Sequence, residues 1–264
     1  MLIKSLYVPG HSILRAFSKK RAPFIEKSRI GIKSVKVAPR YPVLKARMTM
    51  DKKHQEFDNL LVLDFEATCQ ENSLGPITPV QEIIEFPVVQ ISTKDWKEIR
   101  RFHEYVRPTI NPRLTSFCTN LTGIIQEMVD NKPTIDDVLK KFDKWITEDP
   151  NLGKFAFVTC GDWDLKVALP NEADFKKIKA PCYFNQWINL KKAYASHTGN
   201  FVRGMPELLR IYNLKMVGRH HSGIDDVANI CEIARCLGES GHVYRITSGD
   251  VQRRRVFNDV KGLV

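Results

Sequence analysis

The sequence predicts an α/β domain with a mixed sheet, antiparallel strands first and helices over its faces. Three observations point there. Short apolar runs of strand character open the folded part, a hairpin pattern follows, and helical periodicity then alternates with one further strand. A chain of 264 residues with 43% hydrophobic content can bury the core of one such domain.

The first strand is expected over 60–65, carried by Leu60-Leu61-Val62-Leu63. Two more are expected over 82–92 and 98–106, joined through Thr93-Lys94-Asp95 as a hairpin. Thr134 is suited to cap a helix that turns Ile135, Val138, Leu139, Phe142, Trp145 and Ile146 to one face. Phe155-Ala156-Phe157-Val158 reads as a short buried strand. Helical patterns return over 163–169, 187–197, 205–212 and 224–237, the last with Val227, Ala228, Cys231, Ala234 and Leu237 inward. No internal repeat is visible.

The first strand ends on Asp64-Phe65-Glu66. Side chains alternate along a strand, so Asp64 and Glu66 share one face while Phe65 points into the opposite layer. Two adjacent anions at the end of a core strand are costly unless a proton or a cation neutralises them. A hard divalent metal does so economically. Two more acidic segments fall where the same sheet would gather them. Gly161-Asp162-Trp163-Asp164 follows the Phe155 strand, and ligands collect at strand ends in α/β folds. His221-Ser222-Gly223-Ile224-Asp225-Asp226 leads into the last helix. Singly, each acid also reads as a solvated strand end or a helix-dipole partner, and His221 as a hydrogen-bonded surface histidine.

Charge and cysteine usage bound the rest. The formal charge is +11, and residues 1–50 hold twelve Lys/Arg against the single acid Glu26, so the remainder is balanced. That segment is basic, serine-containing and nearly acid-free, with Leu2, Ile3, Leu6, Ile13, Leu14 and Phe17 at helical spacing, which is the composition of a mitochondrial targeting segment. A disordered basic arm that touches RNA or serves as a nuclear address is the other reading. A start at Met48 or Met50 would place the protein in the cytoplasm or nucleus, and N-terminal sequencing of the endogenous protein distinguishes these cases. No apolar run is long enough to insert in a bilayer. The six cysteines form no Cys-x-x-Cys pair and follow no secretory signal, so they read as reduced thiols of an intracellular protein.

Five segments taken in order resemble one known family. Leu63-Asp64-Phe65-Glu66-Ala67-Thr68-Cys69, Gln81-Glu82-Ile83-Ile84-Glu85-Phe86-Pro87, Leu121-Thr122-Gly123-Ile124, Trp163-Asp164 and His221 to Asp226 are similar to the ERI1-like DEDDh 3′-to-5′ exoribonucleases. Cys160 to Lys166 and Trp187 to Tyr194 resemble its prion-protein-interactor (family member 3) subgroup. The resemblance spans about residues 57–250 and implies an RNase H-like exonuclease fold there, leaving a short basic tail over 251–264.

The resemblance also implies roles. Asp64, Glu66, Asp164 and Asp226 would hold two Mg²⁺ ions, with Mn²⁺ as an alternative, Asp64 bridging them; Glu66 and His221 would be catalytic. Asp162, Asp225 and His220 would be neighbours, because the family's His, four residues, Asp spacing fits His221 with Asp226. Two cations about 4 Å apart suit phosphodiester hydrolysis, Mg²⁺ takes oxygen ligands, and a neutral imidazole can take a proton from the attacking water as general base. Substrate contacts would come from Glu66, Ala67, Thr68, Phe117, Leu121, Trp163 and His221; Trp163 would stack on a base or pack in the core. The partner implied is RNA with a free 3′ end, shortened to 5′-mononucleotides, and no protein partner is legible. A DNA-directed DEDDh exonuclease, an RNase H-type endonuclease and a non-catalytic RNA- or protein-binding module share the fold and stand as alternatives.

Overall fold

The computed structural model describes residues 54–249. The segments 1–50 and 251–264, with the targeting and tail readings attached to them, lie outside the described residues. Seven strands form one mixed sheet. β1 (Asn59–Leu63) is its centre, antiparallel to β3 (Ile83–Ser92) and parallel to β5 (Phe155–Thr159). β4 (Glu98–Tyr105) pairs with the other edge of β3, completing the expected hairpin. Beyond β5, β6 (Gln186–Asn189) is parallel and β7 (Ser248–Gly249) antiparallel. β2 (Glu66–Ala67) extends β1 along β3 after a two-residue break, with a register shift between its residues.

Alternation along β1 sorts the core into two layers. Leu60 and Val62 pack with Ile188, Leu190, Leu208, Val227 and Ile230, beneath α5 (Leu190–Thr198), α6 (Met205–Ile211) and α7 (Gly223–Glu239). Leu61, Leu63 and Phe65 pack with Phe86, Val138, Phe142 and Leu169, beneath α3 (Ile135–Thr147) and α4 (Leu169–Lys176). Helices thus cover both faces, and Phe65 points away from its two acidic neighbours as strand alternation requires. α1 (Ser116–Thr122) and α2 (Gln126–Val129) border a smaller cluster built on Ile84, Cys118, Ile124 and Val129. At the start of α3, Asp137 accepts from the Thr134 N–H at 3.3 Å and from its hydroxyl at 2.8 Å.

Two helical expectations need correction. The span 187–197 is not one helix: Trp187 and Ile188 lie in β6, between β5 and β7, and α5 begins at Leu190. Aromatic and β-branched residues suit a half-buried strand, and Asn189 separates the elements, its side chain accepting from the Lys191 and Lys192 N–H groups. The span 163–169 opens as a wide π turn, Asp164–Ala168, in which Leu169 N–H reaches back to Asp164 O, and the helix continues to Lys176. Pro170 has no N–H to give, so the regular ladder is interrupted at that point in any case. Among the described residues no helix is long and apolar enough to cross a membrane, and all six cysteines are free thiols.

Candidate active site

Asp64 follows the last residue of β1, Glu66 opens β2, Asp164 begins the π turn after β5 and Asp226 lies in the first turn of α7. These elements meet because β1 is central and both β5 and α7 pack against it. One carboxylate oxygen from each of Asp64, Glu66 and Asp226 lies within 4.8 Å of the others. Asp164 is buried and accepts the Phe65 N–H at 2.8 Å, which fixes it beside Asp64. The five residues expected at the centre, His221 included, all line one cleft of about 400 Å³.

The fold resists charge on these acids. Burial, then the Asp164, Glu66 and Asp226 charges, holds the Asp64 carboxyl well above the usual carboxylate range. Burial and the Glu85 charge push Glu66 up to about 9. Burial raises Asp164 to about 6 against the Phe65 N–H bond, and it also raises Asp226 despite the backbone N–H of His221. Desolvation with mutual repulsion is the signature of a site that a bound cation would relieve.

His221 donates its backbone N–H to Asp226 Oδ2 at 2.9 Å and adopts a left-handed φ of 69°, uncommon for a side chain with a Cβ. Burial, with the neighbouring His220 charge, lowers its pKa, which favours the neutral imidazole. His220, expected to be a bystander, is closer than that: its Nδ1 lies 3.0 Å from Asp226 Oδ2 and its ring stacks on His221 at 3.9 Å. Asp162 and Asp225 have other partners. Asp162 accepts from Trp187 Nε1, Ser248 Oγ and Lys192 Nζ, and Asp225 from the Arg219 N–H.

The expected substrate contacts divide. Ala67, Leu121 and Trp163 line the cleft, and Trp163 is 37% exposed instead of packed in the core. Thr68 and Phe117 are not among the lining residues. The Thr68 hydroxyl is buried and accepts the Glu82 N–H at 2.9 Å, while Phe117 is exposed on α1.

Three contributors lie in segments the sequence singled out but were given no site role there. Gln81 lines the cleft and donates its side-chain amide to Thr68 O. Lys191 lines it from the first turn of α5. Glu85, fully buried, accepts the Gly223 N–H at 2.9 Å and the Ile224 N–H at 3.2 Å, and faces His103 Nε2 at 2.8 Å. It therefore caps the N-terminus of α7, the helix that supplies Asp226. Gly223 is needed there for space: a Cβ would meet Asp64 O at 2.8 Å and Glu85 Oε2 at 3.0 Å. A lone acid inside the apolar run Ile83-Ile84-Glu85-Phe86 is the signal that could have found Glu85.

Comparisons with known proteins agree with this geometry. The profile of the Exonuclease family (RNase_T) matches residues 61–234. ERI1 exoribonuclease 3 of Homo sapiens is 45% identical over 199 residues, covering 74% of this chain and 58% of the relative. The chain thus spans under two thirds of that relative's length. The 3′-5′ exonuclease Snipper of Drosophila melanogaster is 34% identical over 217 residues, covering 77% of each. Among solved structures, the nuclease domain of 3′hExo, a DEDDh family member bound to rAMP, superposes with a TM-score of 0.68 at 35% identity, covering 74% of this chain and 98% of that one.

Proposed function

The chain belongs to the Exonuclease family, and on that premise we propose that it is a 3′-to-5′ exoribonuclease that hydrolyses phosphodiester bonds from the 3′ end and releases 5′-mononucleotides. One observation carries the reading: Asp64, Glu66, Asp164 and Asp226, from four separate segments, converge on one cleft with His221 beside them.

The donor set fits divalent cations. An all-oxygen group of carboxylates, three of them buried and Asp64 partly so, suits a hard ion, and three of the four already place oxygens within 4.8 Å. The family is divalent-metal dependent; Mg²⁺, as two ions, is the identity proposed here, and Mn²⁺ fits the same donors. When bound, such a pair supplies activation of the attacking water and stabilises charge on the leaving oxygen.

The chain's own residues do the rest. His221, kept neutral by burial and by His220, takes the proton of the attacking water. Its backbone N–H on Asp226 holds the loop in position. Leu121 and Trp163 give the terminal base apolar walls, and the backbone at Glu66 and Ala67 borders its sugar, where a 2′-hydroxyl distinguishes RNA from DNA. That the 3′hExo nuclease domain binds a ribonucleotide, rAMP, supports the same preference.

The test is the residues 51–264 fragment on single-stranded RNA, matched DNA and RNA with a blocked 3′ end, each with Mg²⁺ and with chelator. Mononucleotides from RNA with a free end, and none in chelator, are expected. Cleavage of the blocked RNA or internal fragments would remove the exonuclease reading, and faster hydrolysis of DNA would move the substrate to DNA.

A further inference from the structure

The cleft has two flanks. β1, with Asp64 at its end, pairs with β3 on one side and with β5, then β6, on the other, and β2 continues it along β3. Ala67 and Leu121 line the cleft from β2 and α1; Gly161, Lys191 and Gly204 to Pro206 line it from beyond β5 and β6. If the terminal nucleoside sits against Ala67 and Leu121 with the scissile phosphate on the acids, the chain upstream must leave past the second flank. This step rests on the exoribonuclease reading above.

That flank carries cations and an exposed aromatic. Lys191 is the only lysine or arginine among the described residues lining the cleft. Its ammonium donates to Arg203 O at 3.3 Å and lies 3.9 Å from the position a Cβ on Gly161 would take, so it spans the space between the loop after β5 and the loop joining α5 to α6. Within the latter loop, Val202 packs into the core and the Arg203 N–H is held by Glu207 Oε2 at 2.9 Å. Anchored in this way, the loop turns Phe201 outward, 87% exposed, the most exposed of the large apolar side chains among the described residues. Arg203 is exposed beside it. An exposed aromatic two residues from an exposed arginine, on a loop that Lys191 bonds and whose next residues, Gly204 to Pro206, line the cleft, matches the chemistry of single-stranded nucleic acid, whose bases stack while its phosphates pair with Lys and Arg.

We propose that Lys191, Phe201 and Arg203 form a second subsite that holds the nucleotide on the 5′ side of the scissile bond, the two cations meeting backbone phosphate and Phe201 stacking the base. The test compares two substrates on the full chain with Mg²⁺: a single-stranded RNA hexanucleotide, and the p-nitrophenyl ester of uridine 5′-monophosphate, which has a terminal nucleotide and none upstream. For Phe201→Ala the ratio of kcat/KM, hexanucleotide over ester, is expected to fall about tenfold through KM, the loss of one stacked base. Phe201→Tyr should restore it. Lys191→Gln should lower the same ratio and flatten the salt dependence of KM for the hexanucleotide by about 0.7 in log–log slope, one phosphate contact on a single strand; Lys191→Arg should recover both. Ratios equal to wild type in Phe201→Ala and Lys191→Gln would overturn the subsite while leaving the exoribonuclease reading intact. A wild-type protein inactive on both substrates would overturn that reading and the subsite with it.

Discussion

His221 carries the most exposed assignment at the residue scale, because its neighbour His220 contacts Asp226 through its ring while His221 does so through its backbone N–H. Sequence spacing favours His221, and the structure adds a lowered pKa and a left-handed backbone fixed by Asp226. Truncating it as His221→Ala should lower kcat by roughly 10²–10⁴-fold, the usual worth of a general base, with little change in RNA affinity. Turnover at the wild-type rate would take His221 out of the mechanism and point to His220. Asp64 and Glu66 were legible as a strand-end pair of acids that needs a cation, whereas Asp164, Asp226 and His221, each of which alone also reads as a helix-end or surface residue, were legible through the family resemblance. Lys191 and Gln81 were not, since a single lysine or glutamine acquires meaning only when another segment folds against it.

Among the elements, α7 matters most to the site, since its first turn carries Asp226 and its first residue, Gly223, packs where a Cβ would collide with Asp64 O. Glu85 ties that end to β3 and, through His103, to β4. Replacing it by Ala leaves the Gly223 and Ile224 N–H groups without their acceptor, a buried loss of about 1–3 kcal/mol per group. Glu85→Ala should therefore lower Tm and depress kcat together, while Glu85→Gln, which keeps an acceptor oxygen, should lose less of both; an unchanged Tm in Glu85→Ala would show that the cap contributes nothing. The long periodic elements, β3, β4, α3 and α7, were readable because their apolar spacing is sustained over many residues. The shortest strands were not. β6 is four residues and merges in sequence with the helix after it, and β2 and β7, of two residues each, exist only through their pairing.

For the whole molecule, the chemistry at the cleft sets how stability responds to pH and metal. An unfolded glutamate titrates near its ordinary 4.5, whereas folded Glu66 titrates only at about 9. Between those values the native state binds more protons than the unfolded chain, so metal-free protein loses stability as pH rises. Asp164, raised to about 6, acts in the same direction over its lower window. In chelator, Tm should fall from about pH 5 to about pH 8, and Mg²⁺ should raise it more at the higher pH, since cations compete with protons for these sites. A Tm independent of both would mean that the acids are not a metal site. Net charge gave no guide to this chemistry: the +11 lies in residues 1–50, and the remaining residues balance.

Mononucleotide release from single-stranded RNA across a Mg²⁺ titration, by wild type and by Asp64→Asn, addresses the four-carboxylate centre most directly. The expected result is release that is absent in chelator, rises with Mg²⁺, and drops by roughly 10²–10³-fold or more in Asp64→Asn, the scale on which losing charge stabilisation at a reaction centre is felt. Release that persists in chelator, or an Asp64→Asn rate equal to wild type, would contradict it.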